Sequence, residues 1–380
     1  MSRTTDVAVV GAGAYGLSVA LWLRRRSSDL SVTVLDRGEF AANETGRCGA
    51  GFRVQWGTVG NTRLCLESLP DFESFAETYG HPDGVEFKQD GYVILAHTPA
   101  QLDQLRRNVA LQNGLGIDSV LVDRDAIARL APALALDGVL GGSFYGRDGS
   151  LSPFRVLDGY QRAARRAGVD VRHGVEVLSI APLGDGFTLA TSRGALAAGR
   201  VVVATDTRIP ALLAPLGIDI PVQPYPNQAF VTEPLAPFLG PCVVSFQHEM
   251  FVNQTPRGSV VVVASDRERP LRSDFAPTSD LFPRAAARAI DLLPHLGSAR
   301  LLRSWGGLYS RTPDMQAVIG ETAVAGLFVA LSGAKGLMTS PAAGRRLAAL
   351  IDGEAPPDWF AQLSPARFAG GTLDPEPAIV

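Results

Sequence analysis

Along this chain the apolar residues recur at intervals that switch between short continuous runs, alternation and helical spacing, and the switches mark the elements. Val7 to Val10 is a continuous apolar run and reads as a buried parallel strand. Leu17, Ala20 and Leu21 then recur at helical intervals, and Arg24, Arg25 and Arg26 stand where a helix C-terminus favours cations. A second strand, Ser31 to Leu35, ends at Asp36. The pattern lapses over the polar, glycine-rich residues 43–57, a stretch too long for an idle connection. Helical spacing returns from Thr62 to Tyr79 on Leu64, Leu66, Leu69, Phe72 and Phe75. Phe87 to His97 reads as a strand pair bent at Gly91, and Pro99 to Asn113 and Arg124 to Leu130 as polar helices. Ser152-Pro153 opens a helix that Gly168 closes.

The second half is richer in strands. Short ones fill Val169 to Val203, and Pro221 to Glu233, Val243 to Val252 and Ser259 to Ser265 read as further strands. Strands gathered apart from the first βαβ unit predict a second, antiparallel sheet. Glycines return at Trp305 to Asp314, Gly326 to Leu331 and Gly333 to Gly336, and Ser340-Pro341 is read as the cap of a helix ending at Gly353.

Between the first strand and helix lie Gly11, Gly13 and Gly16, each with a steric task. The first makes a tight turn, the second admits a pyrophosphate to the backbone, and the third lets helix pack on strand. Phosphates then meet the unpaired N–H groups of the helix start. Asp36 lies about 20 residues beyond Gly16, where an acid accepts bonds from a ribose 2′-hydroxyl. Strand, glycines, helix, strand and acid in that order specify a dinucleotide. The acid disfavours NADP, and FAD and NAD both remain.

A chain of 380 residues suggests two domains, and 46% apolar with 19% charged residues describes an ordinary globular protein. A formal charge of −3 supplies no attraction for nucleic acid or an acidic membrane. Cys48, Cys65 and Cys242 are too widely spaced for a metal site, and so sparse a set fits a reducing cytoplasm. Val7 to Leu23 carries three glycines and reads as strand, turn and helix, not as a membrane span.

Further motifs carry a family resemblance: Gly149-Ser-Leu-Ser-Pro153, Val201-Val-Val-Ala204, Thr312-Pro-Asp314 before Ile319-Gly320, Ser332 to Pro341, and Pro365-Ala-Arg-Phe368. Together they resemble the FAD-dependent D-amino-acid oxidase superfamily, with glycine oxidase, monomeric sarcosine oxidase and sarcosine dehydrogenase among its members. Gly51 to Gly57 followed by Arg63 to Leu69 is most similar to the sarcosine-oxidising side. The resemblance implies an α/β fold with a glutathione-reductase-like Rossmann FAD domain, discontinuous in sequence, and an α+β substrate domain on a mixed or antiparallel sheet. It implies residues 1–80, 148–215 and 303–368 for the first domain, 81–147 and 216–302 for the second, and 369–380 as a tail. It implies non-covalent FAD, held by Gly11, Gly13, Ala14, Tyr15, Gly16, Asp36, Arg37, Arg47, Cys48, Val177, Thr205, Gly306, Gly333, Gly336, Leu337 and Met338.

The activity so implied is hydride transfer from an amino acid or secondary amine to flavin, giving an imine, with reoxidation by oxygen to hydrogen peroxide. Arg53, aligned with a substrate-binding Arg of sarcosine oxidase, is the expected carboxylate anchor. Tyr309 stands where glycine oxidase has its carboxylate-binding Arg. Lys335 falls beside the flavin, where relatives often carry His, and it equally fits a solvated loop. Departures are visible: Thr205-Asp206-Thr207 replaces a common Ala-Gly-Ala, and Gly307 replaces a flavin-linking Cys. Cys48 aligns near a flavin-linking His and also fits an ordinary buried thiol. Turnover-free assembly factors and dehydrogenases using another acceptor are the alternatives within the resemblance. There is no second G-x-G-x-x-G for a pyridine nucleotide.

Overall fold

The computed structural model describes residues 3–265, 271, 273–370 and 373–377. Two eight-stranded sheets carry the fold. In the first, Arg3–Val10 is central, with Gly194–Val203 and Val32–Asp36 on its two sides, both parallel to it. Leu327–Leu331 and Asp170–His173 extend these pairings in parallel, and Val318–Glu321 closes one edge antiparallel. The antiparallel hairpin Val177–Leu183 and Gly186–Thr191 attaches along Gly194–Val203.

Pleating divides the central strand between two cores. Val7 and Val9 join the helices Ala14–Arg26 and Gly336–Ile351 in one cluster; Ala8 and Val10 join Leu189, Val201 and Val203 in another. A continuous apolar run is what a strand covered on both faces requires.

The second sheet runs in the order Leu301–Arg311, Gln223–Pro234, Ser259–Ser265, Met250–Gln254, Cys242–Ser245, Tyr92–Ala96, Gly141–Tyr145 and Val120–Val122. Every neighbour is antiparallel except Cys242–Ser245 with Tyr92–Ala96, so the mixed sheet is present. Leu301–Arg311 pairs with Gln223–Pro234 from Gln223↔Arg311 to Thr232↔Leu301. The 303–368 segment thus enters the first sheet only at Val318–Glu321 and Leu327–Leu331, after its opening strand has served the second. Of the 369–380 tail, residues 371, 372 and 378–380 lie outside the described residues.

Four expectations about elements need correction. The helix expected from Thr62 to Tyr79 starts at Val59 and divides into Val59–Glu73 and Phe75–Tyr79. Pro70 lies just before the break, where Ser74 leaves helical geometry and its hydroxyl donates to the Pro70 carbonyl at 2.7 Å. Phe87 to His97 contains one strand, Tyr92–Ala96. Lys88 bridges to Ser150 and the Gly91 amide donates to Asp148, so this stretch follows another segment and does not fold back on itself. Val243 to Val252 is a hairpin, Cys242–Ser245 and Met250–Gln254, whose turn holds Glu249 at φ 50°.

Lastly, Ser340-Pro341 is inside the helix Gly336–Ile351, which opens at Gly336. Proline has no N–H for the Leu337 carbonyl four residues back, and the Ser340 hydroxyl donates to that carbonyl instead, at 2.9 Å. The pair marks a repaired interior position. The Ser152-Pro153 start is as expected, with the Ser152 hydroxyl accepting from the Arg155 amide at 3.4 Å.

Candidate functional site

The glycine turn divides its tasks between packing and access. A β-carbon on Gly16 would meet the Gly11 carbonyl oxygen at 1.9 Å, and one on Gly11, at φ 109°, would meet the Ala204 oxygen at 2.4 Å. These two glycines let helix, turn and neighbouring strand close together. Gly13 is different: its β-carbon would meet only the Thr45 hydroxyl, at 3.3 Å. It directly precedes the helix Ala14–Arg26, so the face left open is the helix start itself. Asp36 stiffens the same turn, its carboxylate accepting from the Ala12 and Gly38 amides at 2.7 Å each.

Above this floor lies a cleft of about 920 Å³, lined among others by Gly11, Gly13, Ala14, Tyr15, Asp36, Arg37, Val177, Thr205 and Gly336. A second, of about 560 Å³, shares Glu44, Thr45, Asp206, Ser332 and Gly336 with the first. It continues past Arg47, Cys48 and Leu337 to Asn227, Ala229, Val263, Gly307 and Tyr309 of the second sheet. The shared residues make one elongated path from Asp36 to Tyr309. FAD fits its chemistry: an acid at one end, an open helix start, and a buried Thr205 hydroxyl without a partner among the described residues.

Other expected cofactor residues lie around this path. Gly16 packs beneath it. Gly306 is crowded by the Phe275 carbonyl, 2.5 Å from a β-carbon placed there, and its own carbonyl accepts from Arg47 at 3.4 Å. Gly333, at φ 57°, turns the chain beneath the Gln316 carbonyl. Met338 packs half-buried against the core of the first sheet.

Arg53 and Lys335 form a buried group around Trp56, and neither is among the residues lining the two clefts. Arg53 is 4% exposed, with its guanidinium carbon 3.7 Å from the centre of the Trp56 ring. The Lys335 ammonium is 4.8 Å from the same ring and donates to the Met315 and Gly333 carbonyls. At 2% exposure Lys335 is no solvated loop residue. Burial pushes it down to about 8, with the Arg53 charge acting the same way and Glu376 opposing. Burial raises the Tyr309 phenol, while Arg53 and Arg311 pull it back. The Cys48 thiol is pushed up to about 11 by burial, which leaves it protonated at neutral pH.

Two carboxylates, Asp206 from the departure noted in the sequence and Glu44, which the pattern passed over, meet in the middle of the path. Asp206, at φ 50°, accepts from the Ser332 amide at 3.3 Å and hydroxyl at 3.1 Å. Glu44 accepts from the Thr207 hydroxyl at 3.2 Å. Burial raises both, and Asp206 helps carry Glu44 up to about 7. The departure at Thr205-Asp206-Thr207 was a signal for the first; nothing local distinguished Glu44. His248 is hydrogen bonded to Ser245 and Asp291, at 2.7 and 3.0 Å. Among the described residues no helix is long and apolar enough to cross a membrane.

A Rossmann turn floored by packed glycines, opening onto a path that ends on a second sheet, defines a dinucleotide-binding protein. The chain belongs to the FAD dependent oxidoreductase family, whose profile matches residues 6–350. It is 27% identical to the sarcosine oxidase subunit beta of Arthrobacter sp, over 98% of this chain and 93% of that one. It is also 27% identical to a D-amino acid dehydrogenase of Cereibacter sphaeroides, over 98% of each chain. The crystal structure of L-proline dehydrogenase from P. horikoshii superimposes with a TM-score of 0.89 at 26% identity, covering 98% of this chain and 100% of that one. The protein is thus an FAD-dependent oxidoreductase of the amino-acid and amine class.

Proposed function

We propose that this protein oxidises an amino acid or related secondary amine to an imine, with oxygen taking the electrons and leaving as hydrogen peroxide. The observation that carries the reading is the continuous path from Asp36 to Tyr309. Bound FAD supplies the hydride acceptor. Asp36 would hold a ribose hydroxyl, the Gly13–Ala14 helix start would hold the phosphates, and the lining near Leu337 would face the ring. The FAD is non-covalent in this reading: Gly307 has no side chain to link, and the buried Cys48 fits an ordinary thiol. Residues 1–80, 148–215 and 303–368 serve the cofactor, and 81–147 and 216–302 the substrate, with Leu301–Arg311 lending its sheet face to both.

Arg53 anchors the substrate carboxylate: its planar fork grips both oxygens and keeps its charge when desolvated. Tyr309 offers a hydroxyl at the end of the path, and burial keeps it protonated as a donor. Lys335 and the start of the helix Gly336–Ile351 would lend positive potential to a flavin bound near Gly336 and Leu337. Three free cysteines fit a cytoplasmic setting.

The relatives named above include dehydrogenases, which favours a second reading in which another acceptor replaces oxygen. One experiment separates them. Purified protein absorbing near roughly 450 nm, a property of flavin, is reduced anaerobically with a panel of amino and N-methylamino acids and then mixed with oxygen. Rapid reoxidation with stoichiometric peroxide supports the oxidase; reoxidation only by an added quinone or dye supports the dehydrogenase. A flavoprotein reduced by no amine would overturn both.

A further inference from the structure

Asn227 and Gln228 are neighbours in the strand Gln223–Pro234, and alternation sends their side chains to opposite faces of the second sheet. Both are buried, at 4% and 2% exposure. The Gln228 amide is fully engaged: its nitrogen donates to the Thr278 carbonyl and the Ser304 hydroxyl, and its oxygen accepts from the Thr278 amide, each at 3.0 Å. The Asn227 amide is only half engaged. Its oxygen accepts from the hydroxyl of Ser265, its cross-strand neighbour, at 2.7 Å, and its nitrogen has no partner among the described residues. Buried amide donors are paired as a rule, and one left over calls for a partner from outside the chain.

Asn227 belongs to the wall of the cleft that ends at Tyr309. Strand pairing sets what surrounds it. It stands opposite Gly307, and Tyr309 lies two residues further along that strand, on the same face and diagonal to Asn227. Gly307 brings no side chain between them. Ala229, opposite Val263, gives the same wall an apolar stretch. The Ser265 hydroxyl holds the amide in place, and a hydrogen bond made against apolar surroundings is electrostatically stronger than one in water.

The chemistry of an amine substrate selects the partner. An amide nitrogen donates and accepts nothing. The substrate nitrogen needs its lone pair to form the imine, so a donor placed on it would oppose the reaction. The carboxylate offers acceptor oxygens and takes no part in the bond changes. The Tyr309 phenol, kept protonated by burial, is a second donor on the same face.

We propose that Asn227 is a substrate-binding residue, its side-chain nitrogen donating to a carboxylate oxygen at the Tyr309 end of the cleft. The site then favours amino acids over amines that lack a carboxylate. This deepens the amine-oxidising reading above and rests on it.

Binding is measured without turnover. FAD-loaded protein is titrated with acetate, benzoate and pyrrole-2-carboxylate, unreactive carboxylates of graded size, and followed by the flavin spectrum at a pH above the Glu44 midpoint of about 7. At least one should perturb the native spectrum saturably. Asn227→Leu combined with Ser265→Ala removes the donor together with the hydroxyl that its loss would orphan. That variant should bind the same carboxylate at least tenfold more weakly, the scale of one hydrogen bond to a charged group, with FAD affinity unchanged. Asn227→Asp keeps an acceptor for Ser265 and turns a negative charge toward the ligand, which should weaken the carboxylate further. Unchanged carboxylate affinity in a variant that retains FAD overturns the proposal. Lost FAD affinity in a folded variant overturns it too and assigns the amide to the flavin, as does a native spectrum that none of these carboxylates perturbs. Should the double variant fail to fold, the Asp variant decides by the same outcomes. The amine-oxidising reading fails separately, if carboxylate binding depends on Asn227 while no amine or amino acid reduces the flavin.

Discussion

A β-carbon on Gly16 would lie 1.9 Å from the carbonyl oxygen of Gly11, inside any tolerable contact. Gly16→Ala should therefore act on the fold and not on the ligand. Overpacking of this kind costs about 1–3 kcal/mol or more, read as a lowered Tm of the FAD-free protein. Gly13→Val should do the opposite, leaving that Tm within a few degrees while abolishing FAD retention, because its side chain would enter the open path. A Gly13→Val variant that purifies yellow would refute the placement of the phosphates.

Asp36 binds the Ala12 and Gly38 amides and faces the cleft with the same carboxylate. Asp36→Ala should weaken FAD at least tenfold, since one hydrogen bond to a charged group is worth about 1.5–3 kcal/mol. Fluorescence quenching of FAD titrated with FAD-free protein measures it. Unchanged affinity would place the ribose elsewhere.

Arg53→Met should raise the substrate concentration needed for half-maximal anaerobic reduction at least tenfold, with flavin content preserved. Removing one partner of a desolvated charged pair costs about 2–5 kcal/mol. Native reduction kinetics would sink the carboxylate role, and lost FAD would assign Arg53 to the cofactor.

Lys335→Met should slow reoxidation by oxygen while anaerobic reduction stays close to native. In the native protein the reoxidation rate should fall as pH rises through about 8, the point to which burial has lowered Lys335, and the variant should show no such break. A break that survives in the variant belongs to another group.

Glu44 has its carboxyl raised to about 7, first by burial and then by Asp206. A raised acid contributes stability fully present below its unfolded value, about 4.3, and lost as pH rises through 7. The Tm of the FAD-free protein should decline over that window, and Glu44→Gln should flatten the decline. Asp148, buried and also near 7, acts in the same direction, so the flattening should be partial. A steeper decline in the variant would contradict the assignment.

Local pattern determined a good deal of this protein. The run Val7 to Val10, the three glycines, the helical spacing behind them and Asp36 specify a dinucleotide-binding βαβ unit, because each is a short-range requirement of backbone geometry or burial. The strands of the second half announced a second sheet for the same reason. Elements whose limits depend on a distant partner were misjudged: Phe87 to His97 because its first residues pair with Ser150, and Ser340-Pro341 because a hydroxyl can replace the N–H that proline lacks.

What the tertiary structure alone decided is which charges meet. Arg53 and Lys335 come from remote parts of the chain and meet over the Trp56 ring, and Glu44 meets Asp206 across the middle of the path. Charge interactions and desolvation act through space over a few ångströms, and separation along the chain carries no record of that distance. The same lysine fits a solvated loop and a place beside the flavin equally in the sequence, and in the fold it is buried against the Trp56 ring.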